Sequence, residues 1–255
     1  MSDGTDSKRE TVTSFGAAAD DYLESAVHRQ GADLERVADW CSDATQVLDI
    51  ATGAGHVAGA VAARGVSRVV AADAAPEMAA TAESEFDGVE GVIADAEALP
   101  FATGAFDAAT CRIAAHHFPD PEAFVSEVSR VLEPNGTFAF EDNVAPADDD
   151  LDAFINRVER LRDPTHVRSY RTNRWIELLE ANEFVVEDVH HVRKTLEFDG
   201  WIDAQSVGDD RRGELESILL AAPPEATTAF EIDVEDGQVR SFANHKALIR
   251  ARRLE

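Results

Sequence analysis

Cysteine, lysine and tyrosine are scarce in this chain, whose 255 residues hold two, three and two of them respectively. Cys41 and Cys111 are too few for a disulfide scaffold and do not stand at a metal-ligand spacing, so neither a disulfide framework nor a bound metal is expected. With lysine confined to Lys8, Lys194 and Lys246, arginine supplies nearly all the positive charge. Acidic residues outnumber basic ones 50 to 23, for a formal charge of -27. No basic stripe is visible to neutralise phosphates, which argues against nucleic acid as the main partner. The polar start lacks the apolar region of a signal peptide, and no run is long and apolar enough for a transmembrane segment; a cytoplasmic protein is expected. The acid is spread along the whole chain and includes Asp148-Asp149-Asp150. Such a surface suits a halophilic setting, where salt screens the self-repulsion.

What the chain does have is alternation of strand and helix signals. Apolar runs at Val47–Ile50, Val69–Ala72, Gly91–Ala94, Ala108–Cys111 and Thr137–Glu141 read as buried strands. Between them lie helical patterns at His56–Ala63, Pro76–Glu85 and Pro121–Leu132, the last ending at Pro134-Asn135-Gly136. The pattern predicts an α/β fold with a mostly parallel sheet covered on both faces. Further on, Leu151–Arg162, Arg171–Glu180 and Arg211–Leu220 read as helices and Phe184–Leu196 as a strand, with a break at Pro223-Pro224. Phe230–Val234 and Val239–Phe242 flank Asp236-Gly237 as a hairpin, and Ala247–Ala251 reads as a short final strand. A single domain is expected. Residues 1–15 are its flexible start, 16–45 are cover helices, 46–144 the cofactor-binding core, 145–183 a helical insertion, and 184–255 complete the sheet.

The segment Asp49-Ile50-Ala51-Thr52-Gly53-Ala54-Gly55-His56 joins a strand to a helix through a tight glycine turn. Such a turn brings backbone N–H groups close to a ligand. Gly53, Gly55 and Ala58 fit a loose G-x-G-x-x-A dinucleotide fingerprint. Asp49, however, stands beside the turn, where a carboxylate would repel a pyrophosphate and attract an ammonium. Asp73 closes the next strand, where it can accept from both ribose hydroxyls, and Asp95 closes a third. Carboxylates at three successive strand ends suit a nucleoside with a charged amino-acid tail, in the place where open α/β sheets bind ligands. Helix N-capping is the alternative role for Asp73 and Asp95.

Over Gln46–Val144 the chain resembles the class I S-adenosylmethionine-dependent methyltransferases, most closely the small-molecule branch with the ubiquinone and menaquinone C-methyltransferases. The likeness lies in Val47–Gly55, in Asp73 with Met78 after it, and in Ala94-Asp95-Ala96-Glu97-Ala98-Leu99-Pro100-Phe101. Phe106-Asp107-Ala108 and Glu127–Thr137 extend it. The chain departs at Ala51, where many members have glycine, and at Asn135, where Gly-Gly is usual. Alanine is expected to need only an ordinary backbone angle, and asparagine to adopt a left-handed turn. The resemblance implies a doubly wound, seven-stranded Rossmann-like sheet with a late antiparallel strand. It also implies S-adenosyl-L-methionine as cofactor and S-adenosyl-L-homocysteine as product. Asp49, Ala51, Gly53 and Gly55 would hold the methionine part, the Asp49 carboxylate acting on its ammonium through the turn or a water; Asp73 and Ala74 would hold the ribose, and Met78 the adenine. Asp95 would take the exocyclic amine and the Ala96 N–H a ring nitrogen. His56 joins the cofactor contacts, as does Arg112, for which pairing to an acceptor anion or to the scaffold are alternatives.

The acceptor is expected near Cys111–Asp120. Adjacent histidines are a poor chelating pair, which again argues against a metal. His117 is the expected acid–base or orienting group, with His116 and Asp142 as further catalytic candidates. Asn143, His166, Arg168 and Tyr170 are the expected substrate contacts, since similar enzymes insert substrate-facing helices after the fifth strand. An ion-pair network is the alternative for the polar stretch from Arg157 to Tyr170. Trp201 is a packing anchor that also closes the pocket. The reaction implied is methyl transfer by direct displacement to a small molecule with a carbon, nitrogen or oxygen nucleophile. The rival readings are an NAD(P)-dependent oxidoreductase, for which no Tyr–Lys pair is present, and a non-catalytic nucleotide-binding domain. A homodimer is the assembly left to test.

Overall fold

The central strands are apolar at nearly every position because both of their faces are covered. In the computed structural model, which describes residues 8, 12, 13, 31–205 and 207–255, the chain begins with α1 (Ala32–Asp39), β1 (Gln46–Ile50) and α2 (His56–Ala62). It continues through β2 (Arg68–Asp73), α3 (Pro76–Glu85), β3 (Val89–Ile93) and β4 (Phe106–Arg112). A 3-10 turn (Ala115–His117), α4 (Pro121–Val131) and β5 (Leu132–Asn143) follow. The remainder runs α5 (Asp149–Arg162), α6 (Thr172–Ala181), β6 (Phe184–Glu197), α7 (Phe198–Asp203), α8 (Asp209–Leu220), α9 (Pro224–Ala229), β7 (Asp233–Glu235) and β8 (Gln238–Arg253).

The sheet order is β3-β2-β1-β4-β5-β8-β6, with β7 paired to β8 off that path. The first five strands pair in parallel, and β8 runs antiparallel between β5 and β6. Strand order reverses between β1 and β4, and such a switch point opens a crevice at the carboxyl ends of the strands. Alternation sends Leu48, Ile50, Val70, Phe138, Phe140 and Ile249 to one core. Val47, Val69, Ala71, Ala139 and Leu248 go to the core on the other face. A third cluster packs Ile155 and Val158 of α5 against Trp201, Leu215, Leu219 and Phe242.

The doubly wound sheet and the late antiparallel strand are as expected, with four refinements. The sheet has eight strands, not seven, because the Asp236-Gly237 hairpin adds the short β7. Asp236 and Gly237 have φ 52 and 78, the paired positive angles that a two-residue hairpin requires. The expected separate strands at Val239–Phe242 and Ala247–Ala251 form one strand, since β6 pairs with β8 from Phe184↔Arg253 to Glu197↔Ser241. Strand β5 begins at Leu132, so Pro134-Asn135-Gly136 lies within it, and Asn135 adopts the left-handed angle (φ 67). Finally, Ala51 also has a positive φ of 51, contrary to the ordinary angle expected for it. Of the expected flexible start and cover helices (1–15 and 16–45), residues 1–7, 9–11 and 14–30 lie outside the described residues.

Two glycine-turn variants separate strain from packing. Gly55 has φ 92, and a Cβ there would stand 2.7 Å from the Ala82 Cβ. Gly55→Ala is therefore expected to cost about 2–4 kcal/mol through backbone strain and overpacking. Ala51→Gly removes a left-handed alanine and should stabilise by about 0.5–1 kcal/mol, part of the relief being lost to the freer unfolded chain. Urea denaturation of both variants checks the opposite signs.

Candidate active site

Two cavities open at the carboxyl edge of the sheet. The first, of about 460 Å³, is walled by the glycine turn, the end of β2, the start of α3 and the segment after β3. Gly53 (φ 55) lines it, with open space where a Cβ would stand. Its N–H donates to Asp73 Oδ2 at 2.9 Å, and the Ala75 N–H donates to Asp73 Oδ1 at 2.9 Å. Burial raises the Asp73 pKa while these amides pull it back. A carboxylate offers about four acceptor directions, so two N–H donors leave room for a pair of hydroxyls. Met78, fully buried, forms part of the wall, and His56 and Ala74 line the same space. At the far side Asp95 Oδ1 accepts from the Glu97 N–H (2.9 Å), and the Lys8 ammonium bridges Asp95 (2.7 Å) and Glu97 (2.5 Å). Ala96 lines the cavity beside them. Nothing in the sequence pattern pointed to Lys8, which reaches Asp95 from across the fold.

Two expected cofactor contacts have other work. Asp49 lies behind the turn, outside the cavity lining. Its carboxylate accepts from Thr52 Oγ1 (2.6 Å), Thr110 Oγ1 (2.6 Å) and the Ala58 N–H (3.2 Å). Burial pushes it up to about 6 against those hydrogen bonds. Asp49 therefore shapes the turn from behind, in line with a role exerted through the turn; two of the three expected carboxylates, Asp73 and Asp95, line the cavity itself. Gly55 packs against Ala82 and is absent from the lining.

Arg112 lines the first cavity, but its guanidinium is held by Asp33 (2.6 Å) and Glu141 (2.6 Å), and Lys246 adds a fourth buried charge at 3.3 Å from Glu141. A guanidinium so occupied serves the scaffold, the alternative weighed for Arg112, while the residue still lines the cavity.

The second cavity, of about 380 Å³, lies between the segment after β4, the α5 end, α7 and the β6–β8 pair. His116, His117, Asn143, His166 and Trp201 line it. Ile113 and His117 line both cavities and are the only described residues to do so. Ile113 has φ 54, a strained angle for a β-branched residue and one that clusters at functional sites. No local sequence pattern pointed to it.

His117 Nδ1 faces the Thr165 carbonyl (3.0 Å) and Thr165 Oγ1 (3.1 Å). The Thr165 hydroxyl proton goes to Asp163 Oδ1 (2.6 Å), so both neighbours of Nδ1 are acceptors and Nδ1 carries the ring proton. In the neutral ring Nε2 is then the basic nitrogen, 4.0 Å from Asp163 Oδ2. His116 Nδ1 bonds Asp142 Oδ1 at 2.6 Å. Burial alone would lower the His116 pKa, but the charge and hydrogen bond of Asp142 outweigh it and the net shift is upward. Burial, followed by the charge on His116, pushes His117 down to about 4. Asp142 is buried behind His116 and outside both linings, so it orients that ring and does not meet substrate.

Arg168 and Tyr170 are not in either lining. Arg168 forks onto Asp152 (2.8 and 2.7 Å) as an ion pair, and its guanidinium lies 5.7 Å over the Tyr170 ring as a cation–π contact. Asn143 stays at the second cavity, accepting from Asn244 Nδ2 at 3.1 Å, and His166 Nε2 lies 3.3 Å from Asn156 Oδ1. Glu159, Asn244 and Lys246 line that cavity too and were not anticipated.

Breaking the buried charge network should read as lost stability. Arg112→Ala strands Asp33 and Glu141 and is expected to cost about 3–5 kcal/mol, seen as a lower urea midpoint.

The sequence and the fold have close counterparts. Residues 48–140 match the family described as a methyltransferase domain. The uncharacterized methyltransferase YcgJ of Bacillus subtilis is 37% identical over 246 residues, spanning 93% of this chain and 96% of that protein. The crystal structure of the BH2331 protein of Bacillus halodurans has a TM-score of 0.84 at 39% identity, over 88% of this chain and 100% of that one. A demethylmenaquinone methyltransferase of Thermus thermophilus is 44% identical over 96 residues, just 36% of this chain and 44% of that protein. Likeness to the quinone enzymes is thus partial, whereas likeness to YcgJ runs nearly end to end. The chain belongs to the class I S-adenosylmethionine-dependent methyltransferases, as a relative of YcgJ.

Proposed function

We propose that the first cavity holds S-adenosylmethionine, that the second holds the methyl acceptor, and that transfer crosses the boundary formed by Ile113 and His117. The observation that carries this reading is that shared boundary. The residues fit the cofactor on their own geometry. Gly53 leaves the turn open, and Asp73 keeps acceptor directions for ribose hydroxyls. Met78 offers an apolar wall to a purine, and Asp95 offers a carboxylate to its amine. Bound there, the cofactor supplies an electrophilic methyl carbon on a positively charged sulfur.

The chain's own contribution is alignment and proton handling. His117 Nε2 takes the proton shed by the acceptor's nucleophile, and Asp163 at 4.0 Å stabilises the imidazolium that results. A base at this place favours a nucleophile that carries a proton. Burial disfavours a resting proton on His117, and His116, whose protonated form Asp142 favours, opposes it further. The excess of acid supports a working environment of high ionic strength, and the thermal midpoint should then rise with added potassium chloride.

Calorimetry should show binding of S-adenosylmethionine and S-adenosylhomocysteine and no heat with NAD; equal binding of NAD would overturn the assignment. Asp73→Ala is expected to weaken S-adenosylhomocysteine about 10–100-fold by removing charged hydrogen bonds. His117→Ala should lower kcat by about 100-fold or more with S-adenosylhomocysteine affinity unchanged. The neutral form of His117 is the active one, so kcat/KM should hold level through neutral pH and fall as pH drops through about 4. In Asp142→Asn, His116 loses the charge that retains its proton and its repulsion of His117 disappears. The acid limb of the pH profile should therefore move up, toward the ordinary histidine range.

A further inference from the structure

The second cavity has acceptor oxygens with nothing to accept. Glu159 Oε1 and Asn244 Oδ1 are buried and have no hydrogen-bond partner among the described residues. Their residues are 4% and 7% exposed, and both line the cavity. Buried polar atoms in folded proteins are almost always paired, so two such oxygens at one cavity wall mark a place where a ligand completes the bonding. Two cations of the same wall, Lys246 and Arg162, are committed elsewhere, and Lys194 and His116 line it as well. Lys246 lies 3.3 Å from Glu141. Arg162 Nε donates to the Trp201 carbonyl at 2.9 Å, and its guanidinium sits 4.8 Å over the Trp201 ring. The two orphaned oxygens thus ask for hydrogen-bond donors.

Resting on the two-cavity reading above, we propose that the acceptor is a compact polar molecule bearing at least one O–H or N–H group, which donates to Glu159 and Asn244. A volume of about 380 Å³ suits a molecule of one or two rings. Ile113, Leu196 and Trp201 supply apolar faces for such a ring. The same donor requirement disfavours a quinone ring, which offers only carbonyl acceptors to this wall. Specificity of this kind is strong, because an analogue without the donor leaves the buried oxygens unpaired.

The test uses the protein saturated with S-adenosylhomocysteine and measures binding of matched probes by calorimetry. Catechol and tyramine are compared with their fully O- and N-methylated counterparts and with 1,4-naphthoquinone. The donor-bearing probes are expected to bind at least about tenfold more tightly than their capped partners. Tyramine and catechol together distinguish an ammonium from hydroxyl donors. Glu159→Met should abolish that preference and also raise the thermal midpoint, since it replaces an unsatisfied buried oxygen with an apolar group. A purely structural Glu159 would give a lower midpoint instead. Equal or tighter binding of the capped probes or of naphthoquinone overturns the inference, as does failure of every donor-bearing probe to bind at millimolar concentration. Failure of S-adenosylhomocysteine itself to bind is a different result and strikes the donor-site reading.

Discussion

One buried carboxylate sets the geometry of the donor half. Asp49 ties β1 to the turn through Thr52, to α2 through the Ala58 N–H, and to β4 through Thr110. Holding a charge at full burial is unfavourable, which is why its pKa rises to about 6. Three directed hydrogen bonds offset that cost, since each bond to a charged group contributes about 1.5–3 kcal/mol. The return is a turn locked in a left-handed course at Ala51 and Gly53, with φ 51 and 55. That course aims the Gly53 N–H at Asp73. A scaffold carboxylate and a ligand-facing carboxylate are thereby coupled through a single short stretch of backbone.

The boundary between the cavities depends on a second buried set of charges. Asp33, Arg112, Glu141 and Lys246 form two anions and two cations, so the group is neutral although each member is buried. Glu141 is gripped twice from the same strand end. Its carboxylate takes Arg112 Nε, and its carbonyl takes the Ile113 N–H at 2.8 Å. A β-branched residue at φ 54 persists only where its surroundings over-determine it. Here the surroundings are Glu141 on one side and the 3-10 turn carrying His116 and His117 on the other. The strain falls at the boundary that the two cavities share.

Those features were legible in the sequence to different degrees, for physical reasons. The parallel strands and the glycine turn are local signals, and Asp73 was readable because it is the last residue of its strand. Asp49 misled because it is next to last, so the two-residue period puts it with Val47 on a sheet face and not at the strand end. Ala51 misled because its departure from glycine was weighed on chemistry alone, without the turn's demand for a positive φ. Arg168 and Tyr170 stand in a polar run that invited a ligand role. Asp152, one helix earlier, had the prior claim on Arg168 and also takes Arg171 at 3.0 Å. Glu159 and Asn244 are unremarkable where they stand in the chain. They share a cavity because β8 is inserted between β5 and β6, a long-range pairing that no local pattern encodes.

The histidine cluster shows how a carboxylate outside the cavities decides chemistry at their boundary. His116, His117 and His166 lie with ring centroids 4.2, 5.3 and 6.3 Å apart. In so dry a place three imidazoliums would repel one another strongly, so protonation of one ring opposes protonation of the rest. Asp142 assigns the charge to His116 by bonding its Nδ1. His117 and His166 are both driven toward the neutral form, first by burial and then by that charge. Had the carboxylate stood behind His117 instead, the ring at the boundary would carry the proton and could serve only as an acid. Which imidazole Asp142 touches therefore decides which ring favours the proton, and two adjacent, chemically identical residues are shifted in opposite directions.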